Sequence, residues 1–143
     1  MPKFKQDLKT FSGDSFNPLE AYKGEPILVL FYSTSCLGCT GRALPLAYKL
    51  SQENPNVKLV VVHVQFASMP FTQQEIMDIF TESKAPFPIY LDEDAINYHH
   101  FSAEGTPHWL LFDKNGKITH SIFGSQEGAQ NRLLYALAEL TPF

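Results

Sequence analysis

An unbroken apolar run, Ile27 to Tyr32, passes through a small polar turn, Ser33-Thr34-Ser35, and delivers Cys36 and Cys39 where a helix should begin. No other stretch constrains the fold as much. A strand without polar alternation suits a sheet covered on both faces by helices better than one with a wet side. The Cys-x-x-Cys spacing puts both sulfurs on the first turn of the next helix, near enough to bond after a small backbone adjustment. A thiol there feels unpaired N–H groups and the positive end of the helix dipole, which favour its charged form. Because the thiolate is the nucleophile of disulfide exchange, Cys36, nearest the helix start, is the expected attacker and Cys39 the expected resolver.

These are the only cysteines in the sequence. A structural zinc site would need about four ligands with a second pair at matching spacing. The histidines do not supply one: His99 and His100 are adjacent, and His63, His108 and His120 are scattered. A purely structural disulfide would close a loop too short to restrain the unfolded chain much. Two unconnected core thiols are a third possibility, since cysteine often packs as a small hydrophobe. A redox pair accounts best for the position at a strand-to-helix junction, and it calls for no cofactor beyond a Cys36–Cys39 disulfide and for no metal.

The length of 143 residues suits one domain, with residues 1–24 as an N-terminal extension and 25–143 as the core. A formal charge of −4 without a basic stripe argues against a nucleic-acid partner. No window approaches the ~20 apolar residues of a membrane span, and the first residues lack the apolar core of a signal peptide. As written, the chain reads as cytoplasmic.

Phe4, Leu8, Phe11 and Phe16 give the extension something to pack and allow a short strand or hairpin. The helix opened by the cysteines should run to about Glu53 with Ala43, Leu46, Ala47 and Leu50 inward, kinked at Pro45, which cannot donate to the Gly41 carbonyl. Val57 to Phe66 is the second central strand, with His63 expected as a satisfied core histidine. After a loop at residues 69–71, Thr72 with Glu75 fits a capping box for a helix carrying Ile76, Ile79 and Phe80 on one face and stopping before Ala85. Phe87 to Leu91 should be a short strand, with Asp92 or Asp94 capping a brief helix that leaves His99 and His100 in solvent. Residues 109–112 and 118–123, joined through Asn115-Gly116, make a hairpin with room for a bulge. Residues 126–140 close the chain as a helix with Leu133, Leu134, Leu137 and Leu140 inward. This order gives an α/β unit with an antiparallel edge and the cysteines at the C-terminal end of the first central strand.

With its Cys36-x-x-Cys39 helix start, Pro45 and Gly105-Thr106-Pro107 before an apolar hairpin and last helix, the chain resembles the thioredoxin superfamily. The Leu-Asp-Glu-Asp and Leu-Leu-Phe-Asp-Lys-Asn-Gly-Lys-Ile runs are similar to the TlpA-like thiol-disulfide oxidoreductase branch, with residues 67–101 holding its strand-helix insertion. The resemblance implies a thioredoxin-like fold, a central mixed sheet flanked by helices. It also implies a cis peptide before Pro107, packing of Thr106 and Pro107 against the cysteines, and docking of an extended substrate there. Ser35, Leu37, Gly38 and Pro45 are then supporting residues. Protein disulfides or dithiols and an upstream electron donor would be the partners of a monomeric enzyme.

Some positions depart from that pattern. Leu30 stands where thioredoxins carry a buried Asp, Ser35 replaces the usual Trp, Leu37-Gly38 replaces Gly-Pro, and Pro45 lies one residue further from Cys39 than usual. With no charged side chain between the cysteines, a reductant or exchanger is expected rather than a strong oxidant. The competing functions are a peroxidase on the same fold, disfavoured by Val29 where the peroxidase motif needs Pro, and a non-enzymatic binding or metal-delivery module using the thiols as soft ligands. Trp109 is expected in the core, while His108 fits either the site or a strand start.

Overall fold

The computed structural model describes residues 2–68 and 70–140; Met69, in the expected loop, lies outside them. Seven strands form one mixed sheet: β1 (Leu8–Lys9), β2 (Ser15–Phe16), β3 (Ile27–Tyr32), β4 (Lys58–Gln65), β5 (Ile89–Glu93), β6 (His108–Phe112) and β7 (Ile118–Phe123). Their spatial order is β2-β1-β5-β4-β3-β6-β7. β3 pairs parallel with β4 and antiparallel with β6, so the strand leading to the cysteines lies inside the sheet beside its middle strand. All six residues of β3 are buried, as a strand covered on both faces requires.

Alternation along β3 divides the core. Leu28, Leu30 and Tyr32 face one layer with Leu44, Ala47 and Leu50 of α2 (Leu44–Glu53) and Leu133, Ala136 and Leu137 of the last helix. Ile27, Val29 and Phe31 face the other with Phe4, Leu8, Ala95 and Tyr98. The N-terminal extension therefore forms a hairpin, β1 against β2, followed by the one-turn helix α1 (Pro18–Ala21) capped by the Asn17 side chain. β1 also joins the sheet through the Lys9–Leu91 pairing.

The capping box exists: Glu75 N–H donates to Thr72 Oγ1 and Thr72 N–H to Glu75 Oε1. The helix it opens, α3 (Gln73–Met77), is shorter than expected. The chain turns back after Asp78 and Phe80 meets Phe87 edge-on, which leaves Ile79 exposed instead of inward. β5 starts two residues later than expected because Pro88 has no N–H for the ladder. Asp92 supplies the predicted cap of the short α4 (Ile96–His100), and His99 and His100 are exposed. The β6–β7 hairpin carries its bulge at Leu111/Phe112. On α5 (Glu127–Leu140), Leu134 is 49% exposed rather than inward; the buried stripe runs through Leu133, Ala136 and Leu137, and Leu134 falls on its flank.

Candidate functional site

β3 ends at Tyr32, and the chain leaves the sheet through Ser33–Ser35. Ser33 accepts the Cys36 N–H at its carbonyl (3.0 Å), while its hydroxyl meets the Ser35 N–H (3.3 Å) and the Ser35 hydroxyl (2.9 Å). Cys36 emerges half-buried and Cys39, one turn on, is fully buried. Both are free thiols. The Cys36 thiol donates to the Thr106 carbonyl at 3.3 Å, and the Cys39 backbone N–H donates to Cys36 Sγ at 3.1 Å.

The two thiols thus differ in kind. Cys36 is reachable, and the Cys39 N–H is aimed at its sulfur. The Cys39 thiol is pushed well up from its ordinary range, first by burial and then by its hydrogen bond to Cys36, with Ser33 and Thr106 pulling in the opposite direction. Beside it, the buried Tyr32 hydroxyl has no hydrogen-bond partner among the described residues, and burial, with Cys39 adding to it, raises its pKa too.

The helix from the cysteines is not a kinked α-helix throughout. Leu37 and Gly38 are α-helical, residues Cys39–Ala43 then form one π turn, closed by the Leu44 N–H on the Cys39 carbonyl, and α-helical geometry resumes at Leu44. A π turn accommodates one extra residue. It absorbs the additional spacing before Pro45, which falls in the first turn of α2 directly after the π turn. Pro45 is exposed.

Opposite Cys36, the Thr106–Pro107 peptide is cis. His108 is neither solvent-facing nor aimed at the cysteines. It is buried, accepts the Glu104 N–H at Nδ1 (3.3 Å) and meets Ser121 Oγ through Nε2 at 2.7 Å, so it braces the loop that carries Thr106. Trp109 is buried, its indole N–H donating to the Gly124 carbonyl. The rim of the site is thin: Leu37 is 87% exposed and Ser35 is exposed. Gly38 is held from behind, with Ser125 Oγ donating to its carbonyl and Arg42 Nε donating to Ser125 Oγ. A Cβ on Gly38 would press on both side chains at 3.2 Å. Arg42 and Ser125 carry no sequence motif, since their contact arises only once the π turn and the segment before α5 converge. No group of three or more His, Cys, Asp or Glu able to hold a metal gathers among the described residues.

His63 is fully buried on β4, opposite Tyr32, and accepts the Thr34 N–H at Nε2 (3.0 Å). Burial pushes its pKa down to about 4, against smaller upward pulls from Gln65 and Val64. Below the ordinary value of 6.5 the unfolded chain binds a proton that the folded chain refuses, so stability is lost as pH falls from 6.5 through about 4. Denaturant unfolding at pH 7 and pH 4.5 should show a loss of up to about 3 kcal/mol that the His63→Gln variant lacks. Equal losses in both proteins would refute this assignment.

Comparison with known proteins agrees with this architecture. The Redoxin family matches residues 1–137. The thioredoxin-like protein YneN of Bacillus subtilis is 31% identical over 111 residues, covering 78% of this chain and 63% of YneN. The thiol-disulfide oxidoreductase YkuV of the same organism is 27% identical over 97 residues, covering 67% of this chain and 65% of YkuV. The matched part therefore spans less than two thirds of either relative. A putative thiol:disulfide interchange protein DsbE from Chlorobium tepidum superposes with a TM-score of 0.77 at 19% identity, covering 98% of this chain and 94% of that one, a likeness of fold. No described helix is long and apolar enough to cross a membrane. A cysteine pair at a helix mouth facing a cis proline, on a mixed sheet matched along nearly its whole length, places this chain in the Redoxin family of the thioredoxin superfamily.

Proposed function

We propose that this chain is a thiol-disulfide oxidoreductase acting on protein disulfides, working as a reductant or exchanger. The observation that carries the proposal is the asymmetry of the pair: Cys36 is reachable and receives the Cys39 N–H, while Cys39 is buried with its thiol held neutral. The Cys36 thiolate attacks one sulfur of a substrate disulfide, forming a mixed disulfide and expelling the other sulfur as a thiolate. Cys39 then gives up its proton and its thiolate attacks Cys36 Sγ, releasing the second substrate sulfur as a thiolate. Two electrons pass to the substrate, and a Cys36–Cys39 disulfide remains for an upstream donor to reduce. The released substrate thiolate is a ready acceptor for the Cys39 proton, because Leu30 leaves no carboxylate beneath the pair.

The Thr106 carbonyl accepts the Cys36 thiol in the reduced form, which supports docking of an extended substrate backbone beside Pro107, as the family resemblance implies. Relatives named for thiol-disulfide chemistry and the shared fold support this reading. Equilibration in glutathione buffers of graded poise, with the cysteine state mapped by peptide mass, tests it: one two-electron transition joining Cys36 to Cys39 is expected. Two thiols that modify independently would overturn it.

A further inference from the structure

Where β3 stops, Thr34 leaves the ladder and its backbone N–H loses a strand partner. His63 supplies the substitute. Its Nε2 lies 3.0 Å from the Thr34 nitrogen and 3.0 Å from Thr34 Oγ1. The imidazole is wedged edge-on between Tyr32 (centroids 5.0 Å apart, 78°) and Phe71 (5.3 Å, 69°), with no part exposed to solvent. A nitrogen that accepts a backbone N–H must present its lone pair, so the proton of the neutral ring is on Nδ1. Among the described residues that atom makes no hydrogen bond of good geometry. A ring kept here only for bulk would be cheaper as an apolar side chain, because a buried polar atom without a partner costs free energy. The compensating contact is the one to Thr34.

Thr34 sits in the middle of the turn from which Cys36 projects. Ser33 and Ser35 fasten the turn to itself and to the Cys36 N–H, but those bonds lie within the turn and do not tie it to the sheet. The bond from His63 does, two residues before the nucleophile. A rigid tether so close governs how well Cys36 Sγ meets the Cys39 N–H at 3.1 Å and the Thr106 carbonyl at 3.3 Å.

We propose that His63 is a positioning residue for the nucleophile: its Nε2 pins the Thr34 N–H and so holds the Ser33–Ser35 turn that aims Cys36 at the substrate. This rests on the disulfide-exchange reading of Cys36, and the ring itself takes no part in the chemistry.

The test compares the wild type with His63→Gln and His63→Leu. Glutamine can offer its Oε1 where Nε2 stands, whereas leucine fills similar space and offers no acceptor. Three quantities are read: hydrogen exchange of the Thr34 amide, the rate of Cys36 alkylation by iodoacetamide, and kcat and KM for reduction of a disulfide-bonded protein. For His63→Leu the Thr34 amide should lose protection, while alkylation and kcat fall about fivefold to tenfold at little-changed KM, the effect of one lost backbone hydrogen bond. His63→Gln should recover to within about twofold of wild type. Thermal unfolding checks that both variants are folded; if His63→Leu is not, Thr34→Pro removes the same N–H from the other side and should reproduce the fall in alkylation rate and kcat. The proposal is overturned if leucine leaves all three readouts unchanged, or if glutamine and leucine are impaired alike. Should the wild type reduce no disulfide at all, the oxidoreductase reading fails, while amide exchange and alkylation still decide whether His63 positions Cys36.

Discussion

Cys39→Ser is expected to accumulate a covalent complex with a disulfide-bonded substrate through Cys36, while Cys36→Ser captures nothing and loses essentially all turnover. The expectation follows from the placement of the two sulfurs. Cys36 is half-buried at the mouth of the helix with a backbone N–H directed at it, and Cys39 is sealed in the core among Leu44, Ala47 and Tyr32. Only the first can meet a foreign sulfur; the second meets only Cys36. With serine at position 39 the mixed disulfide forms and no internal thiol remains to break it. Serine at position 36 removes the one reachable nucleophile, and burial keeps the Cys39 thiol both protonated and inaccessible. Non-reducing gels with peptide mapping read the outcome. Capture of equal amounts by the two variants would reverse or dissolve the assigned roles.

The largest stability effect is expected far from the sulfurs, at Asp92. This carboxylate is buried at the end of β5 and takes three donors: the Asn97 N–H at 3.0 Å and its side-chain amide at 3.1 Å on Oδ1, and the Tyr98 N–H at 2.8 Å on Oδ2. The turn it closes holds two non-glycine residues, Asp94 and Ala95, in the left-handed region at φ 55° and 56°. Asn97 then reaches the N-terminal segment, accepting the Lys5 and Gln6 N–H groups and donating to the Gln6 carbonyl. One acid therefore caps α4 and, through Asn97, fixes the N-terminal segment whose Phe4 stacks on Phe112. Burial raises its carboxyl above the ordinary range and the three donors pull it back, so the net contribution is smaller than three charged hydrogen bonds would suggest. Asp92→Ala would strand those donors in the interior and lower the unfolding free energy by about 3–5 kcal/mol. Asp92→Asn, which keeps one acceptor oxygen, should fall between. Urea unfolding measures both; a loss under about 1 kcal/mol for the alanine variant would show that the network is slack.

Much of this molecule was legible in the sequence because the chemistry is local. The all-apolar β3, the capping box at Thr72, the cap at Asp92 and the Asn-Gly hairpin each follow from side chains within a few positions of one another. The cysteine pair was legible for the same reason, and the cis peptide at Pro107 through likeness to a family. What escaped was set by long-range geometry. The length of α3 depended on Phe80 finding Phe87, and the π turn at Cys39–Ala43 depended on where Pro45 had to sit relative to the sheet. His63 reads as one more core residue in a β-branched strand; its bond to Thr34 exists only because parallel pairing sets it opposite Tyr32. His108 could not be assigned between site and strand, and it proves to brace the proline loop through Glu104 and Ser121.

The claim on which the function stands is that Cys36 and Cys39 carry electrons as a couple. The most direct measurement is the fraction of linked pair against the square of the reduced glutathione concentration divided by that of oxidised glutathione. The account predicts a single midpoint, a square-law dependence on reduced glutathione, and a value on the reducing side, as an exchanger or reductant requires. Two separate midpoints, or a chain that ends glutathionylated on Cys36 with Cys39 untouched, would contradict it.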